Sequence, residues 1–314
     1  MSTMTVMPSR AHRPAALLIL ALAGLIAACN AAPGATTPPA TQGPTPTPGG
    51  PTPSPSPTPA PTSGQGQIQH PTGANDIVLR MEQGGGFMPM NFSITQAPQF
   101  TLYGDGTVIF QQIDNRGAPF GTLGYLPWLV GHLDEEGIQA LLAFAMGPGR
   151  LANAKDNYDN PMIADAGTHV FNLNAAGEEK VVNVYALGLE GQPGPDQADR
   201  AGFSQLAAVL NDFASQDGLG DVVAYEPEFY KVVLVEAFGN PVGAPIDWPW
   251  TDVDPDDFAS GDEPGAIKIL DAEHVAELME VPNGGHIGIW VTDPDDKLVQ
   301  LAVRPLLPDE NPES

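Results

Sequence analysis

The stretch FTLYGDGTVIF, residues 100–110, carries the clearest folding signal in the chain. Two arms rich in β-branched and aromatic residues flank Gly104-Asp105-Gly106, and this arrangement is typical of a hairpin turn. A Gly-Asp-Gly tripeptide also occurs in phosphate- and metal-binding loops, but β-prone arms on both sides favour the turn. The sequence therefore predicts an antiparallel β-hairpin here.

Elsewhere in the chain, similar patterns predict two further hairpins, over residues 168–187 and 287–303, and single strands over 77–82 and 229–238. Apolar residues at helical spacing predict helices over 135–146, 197–215 and 270–280, the first of them capped by Asp134. Residues 239–266 read as a long loop. We therefore expect an α+β fold in which antiparallel hairpins carry helices packed on one face.

An internal similarity bears on domain organisation. Residues 133–142 and 270–279 share the pattern L-D-x-E-x-[IV]-x-x-L-[LM]. A duplicated β-α-β-β unit would explain it, and so would two unrelated amphipathic helices that each begin with an Asp cap. We expect one α+β unit over 68–220, a second over 221–308 packed on the first, and a loose acidic tail over 309–314.

Charge is distributed unevenly along the chain. Residues 1–75 contain no acid, so the remainder holds all 38 Asp and Glu with all but two of the 12 Lys and Arg, a formal charge of about −28. This charge argues against nucleic acid as a partner, because binding to nucleic acid requires a basic surface. A solvated acidic surface is the simplest interpretation.

The only cysteine, Cys29, follows a basic start and the apolar run of residues 15–28, which is typical of a secretion signal. The run is too short for an ordinary transmembrane helix, which needs about 20 residues. Small residues directly before Cys29 resemble the lipobox of bacterial lipoproteins. The resemblance implies that residues 1–28 are removed and that Cys29 receives acyl chains, such as palmitate, which anchor the chain in a membrane.

Residues 29–67 read as a disordered tether. Twelve prolines lie between Pro33 and Pro61, many alternating with Thr or Ser. Proline fixes φ and removes a hydrogen-bond donor, so such a tract runs as extended polyproline II. At about 3.1 Å per residue the tether would span on the order of 100 Å.

Three short stretches extend the family resemblance: GGGF at 84–87, FTLYGDG at 100–106 and RPLLP at 304–308. Together with the lipobox they resemble a group of exported bacterial lipoproteins from high-GC organisms whose function is unknown. The resemblance implies location and unity of fold, and it supplies no site.

The densest acidic cluster has the ligand spacing of an EF-hand loop, with Asp252, Asp254, Asp256 and Glu263 at positions 1, 3, 5 and 12. Calcium prefers six to eight oxygen ligands, which such carboxylates supply. The pattern departs from the motif because Asp257 stands where the sharp turn needs Gly, and no helix pattern flanks the loop. Both a calcium site and a solvated acidic loop remain open.

Trp248 and Trp250 are candidates for a glycan or peptide groove, with burial as a loop anchor the alternative. The sequence contains no nucleophile elbow, zinc-protease or nucleotide-binding motif. We therefore expect an extracytoplasmic lipoprotein on the outer face of the cytoplasmic membrane, which binds an envelope protein or glycan or serves the envelope structurally. The alternative is an envelope hydrolase whose carboxylates converge only in three dimensions.

Overall fold

The computed structural model describes residues 66–86, 95–111, 128–189, 196–216, 218–237, 241, 244–260, 265–279 and 288–312. All of them belong to one compact unit, Ala60–Ser314. The predicted signal segment, Cys29 and almost all of the predicted tether lie outside the described residues, as do Phe87 and Glu263.

Within the described residues there are two sheets, and the first has eight strands in the order β5-β7-β6-β1-β2-β3-β4-β8. All neighbours are antiparallel except the short β5–β7 pair. The strands are β1 (Ile77–Gly84), β2 (Phe100–Tyr103), β3 (Thr107–Gln111), β4 (Trp128–His132), β5 (Asn157–Tyr158), β6 (Thr168–Ala175), β7 (Glu178–Tyr185) and β8 (Val223–Ala224).

Alternation along these strands places apolar side chains on one face, here called the inner face. The helices α1 (Glu135–Met146) and α2 (Gln197–Asn211) pack against it. The main core joins inner-face residues such as Phe100, Phe110 and Phe171 to Leu142 of α1 and Phe203 of α2. The opposite, outer face carries alternate residues of the same strands, and this face positions the groups considered below.

The second sheet has the order β10-β13-β14-β9-β12-β11. Its strands are β9 (Phe229–Glu236), β10 (Ile246–Asp247), β11 (Ala259–Ser260), β12 (Ala266–Asp271), β13 (Ile289–Thr292) and β14 (Leu298–Pro305), antiparallel except for β10–β13. The helix α3 (Ala272–Met279) buries Val275 and Leu278 against one face, together with the loop that carries Trp248 and Trp250. The predicted α+β class is confirmed.

The hairpin predicted at residues 100–110 is β2–β3. The Gly106 N–H donates to the Tyr103 carbonyl at 3.0 Å, and Gly106 has a φ of 94°, which glycine adopts without strain. Gly104 is required for another reason, because a Cβ there would lie 2.6 Å from the Pro71 carbonyl oxygen. The turn therefore packs directly against the loop that precedes β1.

Most predicted elements have close to the predicted bounds, but β4, β12 and four two-residue strands were missed. α1 spans the predicted residues, whereas the third helix begins at Ala272 because the preceding residues form β12. β4 was not predicted at all. The loop predicted over 239–266 contains the short strands β10 and β11.

The two halves share a strand–helix–hairpin order but not a strand arrangement. In the first sheet, the first strand of the hairpin, β6, lies beside β1; in the second, the second strand of the hairpin, β14, lies beside β9. The shared residue pattern has a local cause. Asp134 accepts from the Gly137 N–H at 2.9 Å, and Asp271 accepts from the His274 N–H at 3.0 Å. Both are helix N-caps.

The prediction of a loose acidic tail is wrong for its first two residues. The tail segment, residues 306–310, crosses the outer face of the first sheet, where Leu307 packs with Tyr103, Ile109 and Trp128. Asp309 and Glu310 are held by arginines, as described next. The tail segment therefore covers part of the outer face.

Candidate functional site

Several buried polar groups of the domain meet where the two sheets share the tail segment. Arg80 Nη2 donates to Asp309 Oδ1 at 2.6 Å, and the Tyr103 hydroxyl donates to the same oxygen at 2.6 Å. Arg304 on the second sheet donates from both terminal nitrogens to Glu310, each at 2.7 Å. Bidentate pairing of this kind is strong and directional. These charges neutralise one another and hold the tail segment in place.

Several pKa values in this cluster depart from their ordinary ranges. Burial raises the pKa of Glu82, and the Arg80 charge only partly opposes this shift. Burial, followed by the hydrogen bond to Asp309, raises the pKa of Tyr103, so its hydroxyl stays a donor. Burial also raises the pKa of Tyr225 to about 12. Glu82 is the one carboxyl group among the described residues whose pKa is clearly raised.

The tryptophans proposed for a binding groove are anchored in the second core. The Trp248 indole N–H donates to the Val253 carbonyl at 2.7 Å, and that of Trp250 donates to the His274 carbonyl at 2.8 Å. The two rings meet edge to face at 5.2 Å, and Trp250 is only 8% exposed. This packing favours the loop-anchor interpretation for Trp250.

The carboxylates proposed for calcium take separate partners. Asp254 and Asp257 cap a short 3₁₀ turn reciprocally, while Asp252 lies 3.3 Å from His274 Nε2. No group of three His, Cys, Asp or Glu side chains suited to a metal occurs within the part of the chain that the structure describes. Asp256 therefore belongs to no such group there.

His274 links the acidic loop to α3. Its Nδ1 lies 2.7 Å from Asp271 Oδ1 and its Nε2 faces Asp252. Hydrogen bonding to Asp271 and then to Asp252 raises the pKa of His274. The His274 backbone N–H, followed by its side chain, lowers the pKa of Asp271. The arrangement is that of a helix cap reinforced by the side chain of His274.

An open depression of about 490 Å³ lies at the uncovered end of the first sheet. It is bounded by the loop before β1 and by the β6–β7 hairpin. Its lining comprises three amides (Asn75, Asn172, Asn174), three charged residues (Asp76, Glu179, Lys180) and four apolar residues (Pro71, Ile77, Leu173, Val181). The depression is within the usual volume range of ligand sites, about 300–1,000 Å³.

The register of β6 and β7 explains how the polar lining is presented. Asn172 lies opposite Val181, and Asn174 lies opposite Glu179, so these four side chains share the outer face. The side chains of Asn75, Asn172 and Asn174 have no hydrogen-bond partner among the described residues. An unpaired amide offers both donors and an acceptor, so the depression can bind a ligand rich in hydrogen-bonding groups.

The sequence interpretation missed this site, although a local signal was present. In the segment Phe171-Asn172-Leu173-Asn174, apolar and amide residues alternate with the period of a strand. The alternation places both asparagines on one face. Their convergence with Asn75 depends on β1 pairing with β6, which the local pattern does not reveal.

No protein-family model matches the chain, and no curated protein or solved structure matches it either. The resemblance to exported lipoproteins therefore stays a prediction. Among the helices of the described residues, none combines the length and the apolar character needed to cross a membrane.

Proposed function

We propose that this protein is a lipid-anchored extracytoplasmic binding domain of the cell envelope, held on the outer face of the cytoplasmic membrane. The support for the anchor is the sequence order: a basic start, an apolar run, small residues and then Cys29. Two acyl chains give stable membrane attachment where one does not. The proline-rich tract that follows serves as the spacer.

The observation that carries the binding function is the open depression, whose three amides have no hydrogen-bond partner among the described residues. The proposed partner that binds in the depression is an envelope protein or glycan. Nucleic acid is disfavoured because the region beyond residue 75 has a formal charge of about −28.

The anchor is tested by fractionating cells of a bacterial host that lipidates its exported proteins. The wild-type chain should partition with membranes and incorporate labelled palmitate. Cys29→Ser should move the protein to the soluble fraction and abolish the label, because the thiol is the acylated group. Ser54→Ala in the spacer is the matched control and should behave as wild type. A Cys29→Ser protein that stays with the membranes would show that the lipobox interpretation is wrong.

Binding is tested by capture from detergent-solubilised envelopes on the immobilised full chain. A protein or glycan should be retained on the folded chain and not on the same chain unfolded in urea. Equal retention on both would count against a binding function.

A carboxylate-based envelope hydrolase is the second candidate, and Glu82 is the observation that favours it. A carboxyl group with a raised pKa keeps its proton to a higher pH, as a general acid requires. In that case the full chain should release dye from labelled envelope polysaccharide, and Glu82→Gln should reduce the rate at least a hundredfold. No release by the wild-type chain would exclude this activity on that substrate.

A further inference from the structure

We infer that the depression lined by Asn75, Asn172 and Asn174 is a binding site for an uncharged oligosaccharide. This inference rests on the proposed binding function and narrows it to one class of ligand and one set of residues. It depends on three properties of the depression: the spacing of its amides, its charge and its apolar lining.

The amides are arranged for a chain of hydroxyl groups. Asn172 and Asn174 are two positions apart on β6, which separates their Cα atoms by about 6.7 Å along the strand. Asn75 approaches from the loop before β1. Each amide has two donors and one acceptor, and a sugar hydroxyl both donates and accepts. Two neighbouring hydroxyls of a sugar can therefore bind to one amide, one as hydrogen-bond donor and the other as acceptor.

The charges around the depression select against acidic ligands. Asp76 and Glu179 are exposed at its lining, within a strongly acidic domain. Among the described residues of the lining, Lys180 is the single cation, and its ammonium group already donates to the Ala152 carbonyl at 2.6 Å, with Glu178 at 3.7 Å. A carboxylated or sulfated sugar would meet net repulsion here.

The apolar part of the lining suits a pyranose ring. Val181 is 52% exposed although it lies on a strand, and Ile77 borders the same space. The C–H face of a sugar can cover such a surface while its hydroxyls reach the amides. The loop before β1 forms one wall of the depression, and this wall is held in place because Pro71 packs directly on Gly104 of the β2–β3 turn. A fixed wall lowers the entropic penalty of binding.

The test measures binding of the full chain in zwitterionic micelles by saturation-transfer NMR and calorimetry. A zwitterionic detergent is required because sugar-headgroup detergents would compete. The probes are neutral tetrasaccharides of glucose, mannose, galactose and N-acetylglucosamine, with tetragalacturonate as the anionic comparison. We expect saturable binding of at least one neutral probe and weaker or undetectable binding of tetragalacturonate.

The variant Asn172→Ala/Asn174→Ala should weaken binding about tenfold or more, because two hydrogen-bonding groups are removed. Asn157→Ala is the matched control, since Asn157 is an exposed asparagine on β5, outside the depression, and its affinity should equal that of wild type. Unchanged thermal unfolding of each variant establishes that the fold is intact.

Three outcomes would overturn the inference: no neutral probe binds at millimolar concentration, the double variant binds as wild type does, or tetragalacturonate binds more tightly than the neutral probes. Each is distinct from failure of the proposed function. If envelope capture by the folded chain persists while the glycan inference fails, the partner is a protein or a charged glycan bound elsewhere.

Discussion

Glu82 lies on β1, between the strands β2 and β6 of the first sheet. It follows Arg80 by two residues on β1, so both side chains point to the same face. Burial disfavours its charged form more than Arg80 favours it, and its pKa is therefore raised. A carboxyl group with a pKa higher in the folded than in the unfolded state stabilises the fold less as pH rises.

Glu82→Gln should therefore increase stability at pH 7, by a few tenths to about 1 kcal/mol, since part of the side chain remains solvated. The loss of folding stability that Glu82 causes begins when the pH rises above the pKa of the unfolded state, and it is complete above the raised pKa of the folded state. At pH 3 the wild type and the variant should have equal stability. Denaturant unfolding at the two pH values measures this.

The exposed Glu179→Gln on β7 is the control for charge removal alone, and it should leave the unfolding midpoint unchanged at both pH values. A Glu82→Gln protein that is less stable than wild type at pH 7 would mean that attraction to Arg80 outweighs desolvation.

For single residues, the predictions made from the sequence were correct where the cause is local. Gly106 and Asp134 have roles set by residues within three positions, and both were predicted. The Arg80–Asp309 pair joins residues 229 positions apart. Nothing in a chain with 38 acids marks which of them pairs with Arg80, so neither the pair nor the position of the tail segment was predictable.

Helix starts agree closely between sequence and structure: α1 and α2 begin at the predicted residue, and α3 begins two residues after it. α1 and α3 each begin after an Asp whose carboxylate accepts an N–H of the first turn. Such a cap satisfies one of the backbone donors that the helix leaves unpaired. The cap residue therefore fixes the position at which the helix begins.

Asp134→Ala should destabilise the domain by about 1 kcal/mol, because it leaves the Gly137 N–H without its acceptor. Thermal unfolding should show a lower midpoint, and amide exchange should rise most in the first turn of α1. Asp134→Asn retains an acceptor oxygen and should recover most of the loss. Equal destabilisation by both variants would contradict the capping role.

The two longer strands that were missed have no regular alternation of buried and exposed side chains. β12 reads Ala-Ile-Lys-Ile-Leu-Asp, with most of its side chains half-buried, and it ends in the Leu270-Asp271 pair that also signals a helix start. β4 precedes α1 directly and was hidden in the same way. In both places the capping signal was recognised and the strand before it was not.

At the scale of the whole molecule, the tail segment connects the two sheets. Asp309 pairs with an arginine of the first sheet, and Glu310 with an arginine of the second. Arg80 and Arg304 are nearly buried, with side chains about 10% exposed. A buried charge that loses its partner is strongly destabilising.

Asp309→Ala should lower the free energy of unfolding by about 3 kcal/mol, because Arg80 and the Tyr103 hydroxyl both lose their acceptor. Denaturant titration measures the change. Asp295→Ala is the control, since its ion pair with Lys297 is 70–78% exposed and should contribute almost nothing. Equal effects of the two variants would mean that the tail segment does not stabilise the domain.

The α+β class was predictable from hairpin and helix signals that act over a few residues. The depression was not, since Asn75 and Asn174 meet only through the pairing of β1 with β6. The sheet order follows from burial across the whole chain, and single-segment patterns do not specify it.

The position of the tail segment near the end of the chain also delays its contacts during synthesis. Synthesis proceeds at roughly 5–20 residues per second, so Arg80 precedes Asp309 by on the order of 10–50 s. Throughout that interval the guanidinium has no counter-ion from the tail, and the apolar patch at Tyr103, Ile109 and Trp128 lacks the cover of Leu307. A nascent chain that folds before its last residues are made therefore exposes this apolar patch until Leu307 and Asp309 dock.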